Sequence, residues 1–509
     1  MWRSLLPFVL TGLLLCAAAY FKFHHNHVNP PNTCDEFGYL QLAQDLELGT
    51  TWQQDPISWR PALVAKLYQE RVPFSGYAWL VTPIAYHIDQ PTGRIINQYP
   101  PGTSWLLKWL PFQSRQTGFA PLMVLLFLLI PTVVLVALYK SKPMALHLGL
   151  IGSLAVVFLA LISAPLMTEL TRINSLAPTF GLLLAAGIAL EKKPGWAIVL
   201  VAVAINFRIA SLVLLAPLAG YFLWCVYQDK QPFNEQLLRW GKIALLSLFA
   251  IAPYLIYTYL LLGNPFAPTY SEIDQRFADP GKIWAYFQFY FGADQKWMWF
   301  HVLLMVGIIT LFMRKKMPGK MVVISTISVL FNYLFFMLHD VAIDYYPYAT
   351  TLLLTGVIIA TLSQLKAPAF VHHWGARILP LAALVLLGTS VFLSGPKNGS
   401  IQMGSIPFAN CFASTDVVWA NARTGTVNYT TDTPAFTYTW GNSGADEIAV
   451  NWLHEQGLQQ AFWLDDLPIS PEQLKQNLSN WGLPYEEVAC EGVGKLLLIH
   501  PTGATLRTY

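Results

Sequence analysis

Residues 194–227 read PGWAIVLVAVAINFRIASLVLLAPLAGYFLWCVY, an apolar run broken near its middle by Arg208 and bounded by Lys192, Lys193 and Lys230. Two helices that each cross a hydrocarbon core of about 30 Å need roughly 20 residues apiece. The 34 residues here fall short of that. With basic residues at both ends, the run starts and finishes on the same side, so its tip stays within the membrane. Arg208 occupies that tip, near the depth of the outer-leaflet phosphates, and an ionisable side chain so placed marks a functional position.

Moving outward from this hairpin, apolar runs recur at 4–20, 118–138, 143–163, 173–190, 242–262, 297–313, 320–338, 349–364 and 378–394. With the two legs of the hairpin they make roughly eleven crossings. The composition agrees: 55% of the 509 residues are hydrophobic and 12% charged, with a mean hydropathy of +0.45, far from the usual soluble balance. A net charge of +3 is too small to suggest nucleic acid as a partner. Membrane lipid is the implied surrounding.

Alternate connections hold the basic residues: Lys140 and Lys142; Lys192 and Lys193; Lys230, Arg239 and Lys242; Arg314, Lys315, Lys316 and Lys320; Lys366 and Arg377. The other short connections carry only Arg172 and Arg208. This asymmetry puts the basic loops in the cytoplasm and two large segments outside, a loop at 21–117 and a tail at 395–509. The first run could be a signal peptide, since Ala17-Ala18-Ala19 offers a cleavage site, but it reads as a retained helix with a cytoplasmic N-terminus. The tail alternates β-like runs (461–464, 495–499) with helix-like ones (445–455, 472–481), which predicts a small α/β domain. Cys411 and Cys490 would lie in an oxidising compartment and could pair there, leaving Cys34 alone. Cys16 and Cys225 sit in apolar runs as small core side chains.

The outer loop opens with Thr33-Cys34-Asp35-Glu36-Phe37-Gly38-Tyr39-Leu40-Gln41-Leu42-Ala43. Thr33 with Glu36 fits a capping box, and two acids in a first turn suit the helix dipole. Capping does not exclude catalysis, because a carboxylate at a helix start is rigidly held and can face a cleft. Later in the loop, Tyr99-Pro100-Pro101-Gly102-Thr103-Ser104 precedes Trp105, Leu106, Leu107 and Trp109, which predicts a helix lying on the outer membrane surface.

Together these elements resemble the GT-C glycosyltransferase superfamily. They are an acidic pair just after the first membrane helix, Tyr39 and Ala43 one turn apart, and Tyr99-Pro100-Pro101-Gly102 ahead of an interfacial helix. They are most similar to the branch of protein O-mannosyltransferases and lipid A aminoarabinose transferases. The similarity covers residues 1–394; the tail carries no assignable motif. The resemblance implies a polytopic α-helical GT-C-like membrane domain with an extracytoplasmic α/β tail. It also implies a sugar donor on a polyprenyl phosphate, an acceptor hydroxyl on a glycan, lipid or protein, and inversion at the anomeric carbon. Residue-by-residue transfer makes Asp35 the general base and Glu36 its support or an acceptor contact, with Tyr39 and Tyr99 beside the substrate.

A departing phosphate needs charge stabilisation, and guanidinium is suited to bidentate phosphate contact. Arg208 is the first candidate, although a structural pair with Glu169 is an alternative. Arg276 and Lys282, in an aromatic-rich outer loop, are further candidates. Glu169 and Arg172, at one outer connection, and Tyr345, at another beside His339, Asp340 and Asp344, are candidate substrate contacts. Neither that cluster nor His24, His25 and His27 has a spacing that demands a metal. No cofactor is required by the sequence; some family members use a divalent ion, so that question stays open. A transporter or an assembly protein is the rival class, but transporters commonly show repeats and midplane charges, whereas acids here gather on one side. A transferase using a diphosphate-linked oligosaccharide is the nearest enzymatic alternative. A bacterial inner membrane is the expected setting.

Overall fold

The computed structural model describes residue 17 and residues 34–47, 59–73, 77, 80–83, 85–89, 93–110, 115–138, 173–229, 232–267, 269, 280–292, 296–339, 346–364, 410–413, 415–421, 423–431, 433–438, 444–490 and 493–501. Apart from residue 17, the apolar runs at 4–20, 143–163 and 378–394 lie outside these residues, as does Thr33 of the expected capping box.

The outer segment holds α1 (Cys34–Glu47), α2 (Arg60–Gln69), a hairpin of β1 (Tyr86–Ile88) and β2 (Ile95–Asn97), and α3 (Gly102–Lys108). Asp35 and Glu36 fill the first turn of α1, where carboxylates complement the positive end of the helix dipole. The helix after the Pro-Pro-Gly stretch is only seven residues long. It buries Gly102, Thr103, Ser104 and Leu107 and packs against α1, leaving Trp109 exposed.

The membrane part comprises α4 (Arg115–Leu138), α5 (Leu176–Ala189), α6 (Pro194–Ile205), a 3-10 turn (Ile209–Leu214), α7 (Leu215–Gln228), α8 (Phe233–Leu262), α9 (Pro280–Phe291), α10 (Lys296–Met313), α11 (Gly319–Leu338) and α12 (Tyr348–Ser363). Residues 209–228, 233–262 and 319–338 form helices long and apolar enough to cross a membrane. Every residue of α5 is buried, and α12, α4 and α6 pack around it. By contrast, α8, α10 and α11 expose Leu245, Phe249, Leu303, Val306, Leu330 and Leu334. Apolar surface of this extent has no place in water and is the face a bundle turns to lipid. The chain is an integral membrane protein.

The outgoing leg of the hairpin is as short as its sequence implied, whereas the return leg, residues 209–228, is long enough to cross, which corrects the expectation that both legs fall short. At 1.5 Å per residue the 12 residues of α6 rise about 18 Å, well short of a hydrocarbon core of about 30 Å. The return leg gains length because its first six residues adopt the more extended 3-10 form.

Beyond the membrane helices, β3 (Val417–Ala420), β4 (Ala435–Thr437), β5 (Gln460–Trp463), β6 (Tyr485–Cys490) and β7 (Gly494–Ile499) form a sheet of order β4-β3-β5-β7-β6. β3 is parallel to β4 and β5, while β7 is antiparallel to β5 and β6. Helices α13 (Thr424–Thr430), α14 (Ala445–Glu455) and α15 (Pro471–Asn480) accompany it. Two strands and two helices fall within a residue of the segments the sequence suggested, the normal tolerance for element ends. Buried Trp419 donates its indole N–H to Gln460 Oε1 at 2.8 Å and Trp463 donates to the Val493 carbonyl at 3.0 Å, so both rings are buried without an orphaned donor. A disulfide joins Cys411 to Cys490.

This sheet does not stand apart from the outer segment. The backbone N–H and hydroxyl of Thr437 both donate to the Thr82 carbonyl, at 3.3 and 3.1 Å. Trp59 packs its ring against Phe436 and Trp452, and the Arg60 guanidinium lies over the Phe436 ring. The β4 edge is thereby covered, which removes one exposed strand edge.

Candidate functional site

The site is built from the head of α1. Tyr99 donates its hydroxyl to Asp35 Oδ1 at 2.6 Å, a short charge-assisted bond that orients the carboxylate. The Tyr99 ring lies against Tyr39, one turn into α1, with centroids 4.7 Å apart. Asn97 holds the end of β2 in place: its Oδ1 accepts from the Tyr99 N–H at 2.9 Å and its Nδ2 donates to the Gly38 carbonyl at 2.7 Å. Ser104 adds a bond from its hydroxyl to the Tyr39 carbonyl at 2.9 Å. Asp35 is half-buried, and Glu36 beside it is 3% exposed.

Behind the acidic turn stands the C-terminal sheet layer. Phe37, fully buried, rests on Gly425 at the start of α13. Any Cβ at Gly425 would collide with the Phe37 ring. A residue of the tail therefore fixes the head of α1, a relation the sequence reading did not contain.

The Pro-Pro-Gly segment then carries the site down to the membrane part. Gly102 donates its N–H to the Asn206 carbonyl at 2.8 Å, and a Cβ there would sit 2.5 Å from that oxygen. Glycine is what the approach demands. Thr103 donates to the Asn174 carbonyl at 3.3 Å, and Asn174 in turn caps α5 through Oδ1, accepting from Leu176 N at 3.0 Å. The bond to Asn206 meets the turn between α6 and the 3-10 segment, two residues before Arg208.

At the tip of the hairpin, Arg208 donates from Nη1 to the Ser175 hydroxyl at 3.1 Å. Its guanidinium carbon lies 5.5 Å from the Tyr346 ring centre and 5.7 Å from that of Tyr348, within cation-π range. The Tyr348 hydroxyl is engaged with Thr179 at 2.9 Å. Arg208 thus has two aromatic walls and a hydroxyl partner. Ser175, Tyr348, Asn97 and Asn206 were not singled out from the sequence; a polar Asn206 so close to Arg208 in an otherwise apolar run was the available signal.

Of the other candidates, Glu169, Arg172, Arg276, Asp340, Asp344 and Tyr345 lie outside the described residues, as do His24, His25 and His27. Lys282 is exposed in the first turn of α9. Tyr290, eight residues on, is buried in a cluster with Tyr333 and Phe336, against which Ala210 and Tyr346 pack. Among the described residues no group of three His, Cys, Asp or Glu side chains is gathered as a metal site would require.

A second acid of α1 stands apart from Asp35 by about 15 Å of helix. Asp45 accepts from Gln41 at 3.2 Å and from the Tyr86 hydroxyl at 3.3 Å, yet burial outweighs both bonds and pushes its carboxyl up to about 6. On β1, burial pushes His87 down to about 4 against the pull of Asp89.

A carboxylate fixed at a helix head and linked through a Pro-Pro-Gly segment to a half-buried arginine on a membrane hairpin equips the chain for acid-base chemistry next to an anion. Two solved structures share the whole architecture. One is the crystal structure of ArnT from Cupriavidus metallidurans bound to undecaprenyl phosphate, with a TM-score of 0.56 and 13% identity over 97% of this chain and 98% of that one. The other is the same protein in the apo state, with a TM-score of 0.52 and 13% identity over 96% and 97%. At this identity the likeness is one of fold: the chain folds as ArnT does. No family model matches the sequence, and no curated protein does.

Proposed function

We propose that this chain is an inverting glycosyltransferase that moves a sugar from a polyprenyl-phosphate donor to an acceptor hydroxyl on the extracytoplasmic face of a bacterial inner membrane. The supporting observation is the linkage of Asp35 to Arg208: Tyr99 on the carboxylate, and Gly102, three residues on, bonded to Asn206 of the arginine turn. The GT-C-like fold supports the same ligand class that the ArnT structure holds.

In this reading Asp35 takes the proton from the acceptor hydroxyl as its oxygen bonds the anomeric carbon. The bond from that carbon to the phosphate oxygen breaks on the opposite face, its electron pair leaving with the polyprenyl phosphate. Phosphate leaves without needing a proton, so the requirement on the leaving side is positive charge already in place. Arg208, held by Ser175 and two tyrosine rings, meets that requirement with little reorganisation. Glu36 supports the base or contacts the acceptor. The membrane portion, 1–394, carries the chemistry with its N-terminus in the cytoplasm, and 395–509 forms an extracytoplasmic layer over the acidic turn.

The test is mass spectrometry of envelope glycans and glycoproteins from cells with the wild-type gene, with Asp35→Asn, or without the gene. A sugar present with the wild type and lost in the other two, at equal amounts of membrane-inserted protein, is expected. On purified protein the variant should lose transfer by a factor on the order of 10²–10⁴, the usual contribution of a general base. Near-normal transfer by Asp35→Asn removes the assignment of the base.

A further inference from the structure

Helix α8 contains Pro253, which has no N–H to give the carbonyl four residues back and crowds it sterically. One residue on from that defect lies the pair formed by the Ala250 carbonyl and the Tyr254 N–H, which an undisturbed helix would join to each other. Asn206 reaches both. Its Nδ2 donates to the Ala250 carbonyl at 2.8 Å, and its Oδ1 accepts from Tyr254 N at 3.0 Å. The same Nδ2 lies 3.0 Å from the Val203 carbonyl at the end of α6. The Asn206 backbone carbonyl accepts from Gly102. With 5% of its surface exposed, this one residue ties together the end of α6, the flaw in α8 and the start of α3.

A side chain inserted beside a proline defect mends a helix, and that alone is a structural service. The placement does more. Only Phe207 separates Asn206 from Arg208, and the backbone there runs from a turn into an extended residue at Arg208, with φ −146° and ψ 111°. The 3-10 segment that follows packs against α11, and Ala210 within it packs against the cluster of Tyr290, Tyr333 and Phe336 that also receives Tyr346. Anchoring Asn206 at both its side chain and its carbonyl therefore sets where the guanidinium emerges. We infer that Asn206 is the positioning residue of the donor-phosphate site, holding Arg208 in place by splicing the hairpin tip into α8 at Pro253. This rests on the donor reading given above for Arg208.

The experiment separates positioning from simple repair. Asn206→Ala leaves the Ala250 and Tyr254 groups unpaired and lowers thermal stability. In the double variant Asn206→Ala with Pro253→Ala, residue 253 regains an N–H and α8 closes its own ladder, so stability recovers. The tip keeps its backbone bond to Gly102 in that variant but has lost the side-chain anchor on α8. Amide exchange over 206–214 should then be at least tenfold faster than in the wild type, and binding of undecaprenyl phosphate in nanodiscs at least tenfold weaker. Exchange is measured at a fixed interval below each variant's own melting temperature, so it reports on the tip whether or not stability fully returns. Wild-type protection of 206–214 in the double variant overturns the inference. So does wild-type lipid binding there when Arg208→Ala, run alongside, has lost it. If Arg208→Ala itself binds the lipid normally, the donor reading fails, and exchange at the tip still decides whether Asn206 anchors it.

Discussion

Asp45→Asn should stabilise the protein at neutral and alkaline pH and have no effect in acid. Asp45 is 5% exposed, and burial raises its carboxyl from 3.8 to about 6 despite the bonds from Gln41 and Tyr86. Because the folded state holds the proton more tightly than the unfolded chain, the group's stabilising contribution is complete below 3.8 and disappears as pH rises through 6. Roughly two units at 1.36 kcal/mol each put the cost of ionising it in place at about 3 kcal/mol above pH 7. Asparagine keeps an acceptor for Tyr86 or Gln41 and carries no charge to desolvate, so it escapes that cost. His87 titrates in the opposite sense: lowered to about 4, it erodes stability as pH falls from 6.5. It is common to both proteins and cancels in the difference. The assay is paired thermal unfolding of wild type and variant at one scan rate from pH 4 to 8, with the difference in Tm as the readout, since unfolding of such proteins is often irreversible. A gain of several degrees at pH 8 that vanishes near pH 4 is expected. A difference independent of pH, or a variant less stable than wild type at pH 8, refutes the reasoning.

Two further outcomes follow from the site. Gly425→Ala should force the Phe37 ring to move, with an overpacking cost of about 1–3 kcal/mol. Transfer should fall through the displaced head of α1 and recover partly when Phe37→Leu is added; kinetics of the two variants decide it, and an unaltered rate in Gly425→Ala would disconnect the tail from the base. Arg208→Ala should raise the KM for a polyprenyl-phosphate sugar at least tenfold. Arg208→Lys should restore only part of that, because an ammonium lacks the planar fork and stacks less well on Tyr346 and Tyr348; unchanged kinetics in a well-folded Ala variant would confine Arg208 to a structural part.

The helices of the membrane part were legible because a lipid-facing or bundle-buried helix has to be apolar along its whole length. The runs at 173–190, 195–206 and 320–338 accordingly reappear as 176–189, 194–205 and 319–338. The acidic turn was legible for a local reason too, since Asp35 and Glu36 sit where a helix start favours them. Contacts across the chain were not. The bond from Tyr99 to Asp35 spans 64 residues and that from Asn206 to Ala250 spans 44, and neither periodicity nor propensity carries such pairings. The helix at α3 was legible as a surface helix from Trp105, Leu106, Leu107 and Trp109, but not which of them face inward: the structure buries Leu107 and leaves Trp109 outside. Phe37 carried no signal of its own in the stretch that holds the acidic pair, and its partner Gly425 had no sequence signature at all.

The short reach of α6 has a mechanical consequence. On the proposed reading Asp35 rides on an outer body whose solvent is water, while Arg208 rides on a hairpin whose outgoing leg rises about 18 Å before the chain turns back. Hydrogen bonds from Gly102 and Thr103 span the boundary between them. A bilayer that thickens or thins pulls on the hairpin through its hydrophobic length, yet exerts no comparable force on the outer body. If Asp35 and Arg208 are the base and the phosphate cation proposed above, their spacing is coupled to acyl-chain length, and the membrane itself becomes one of the parts that tune the site.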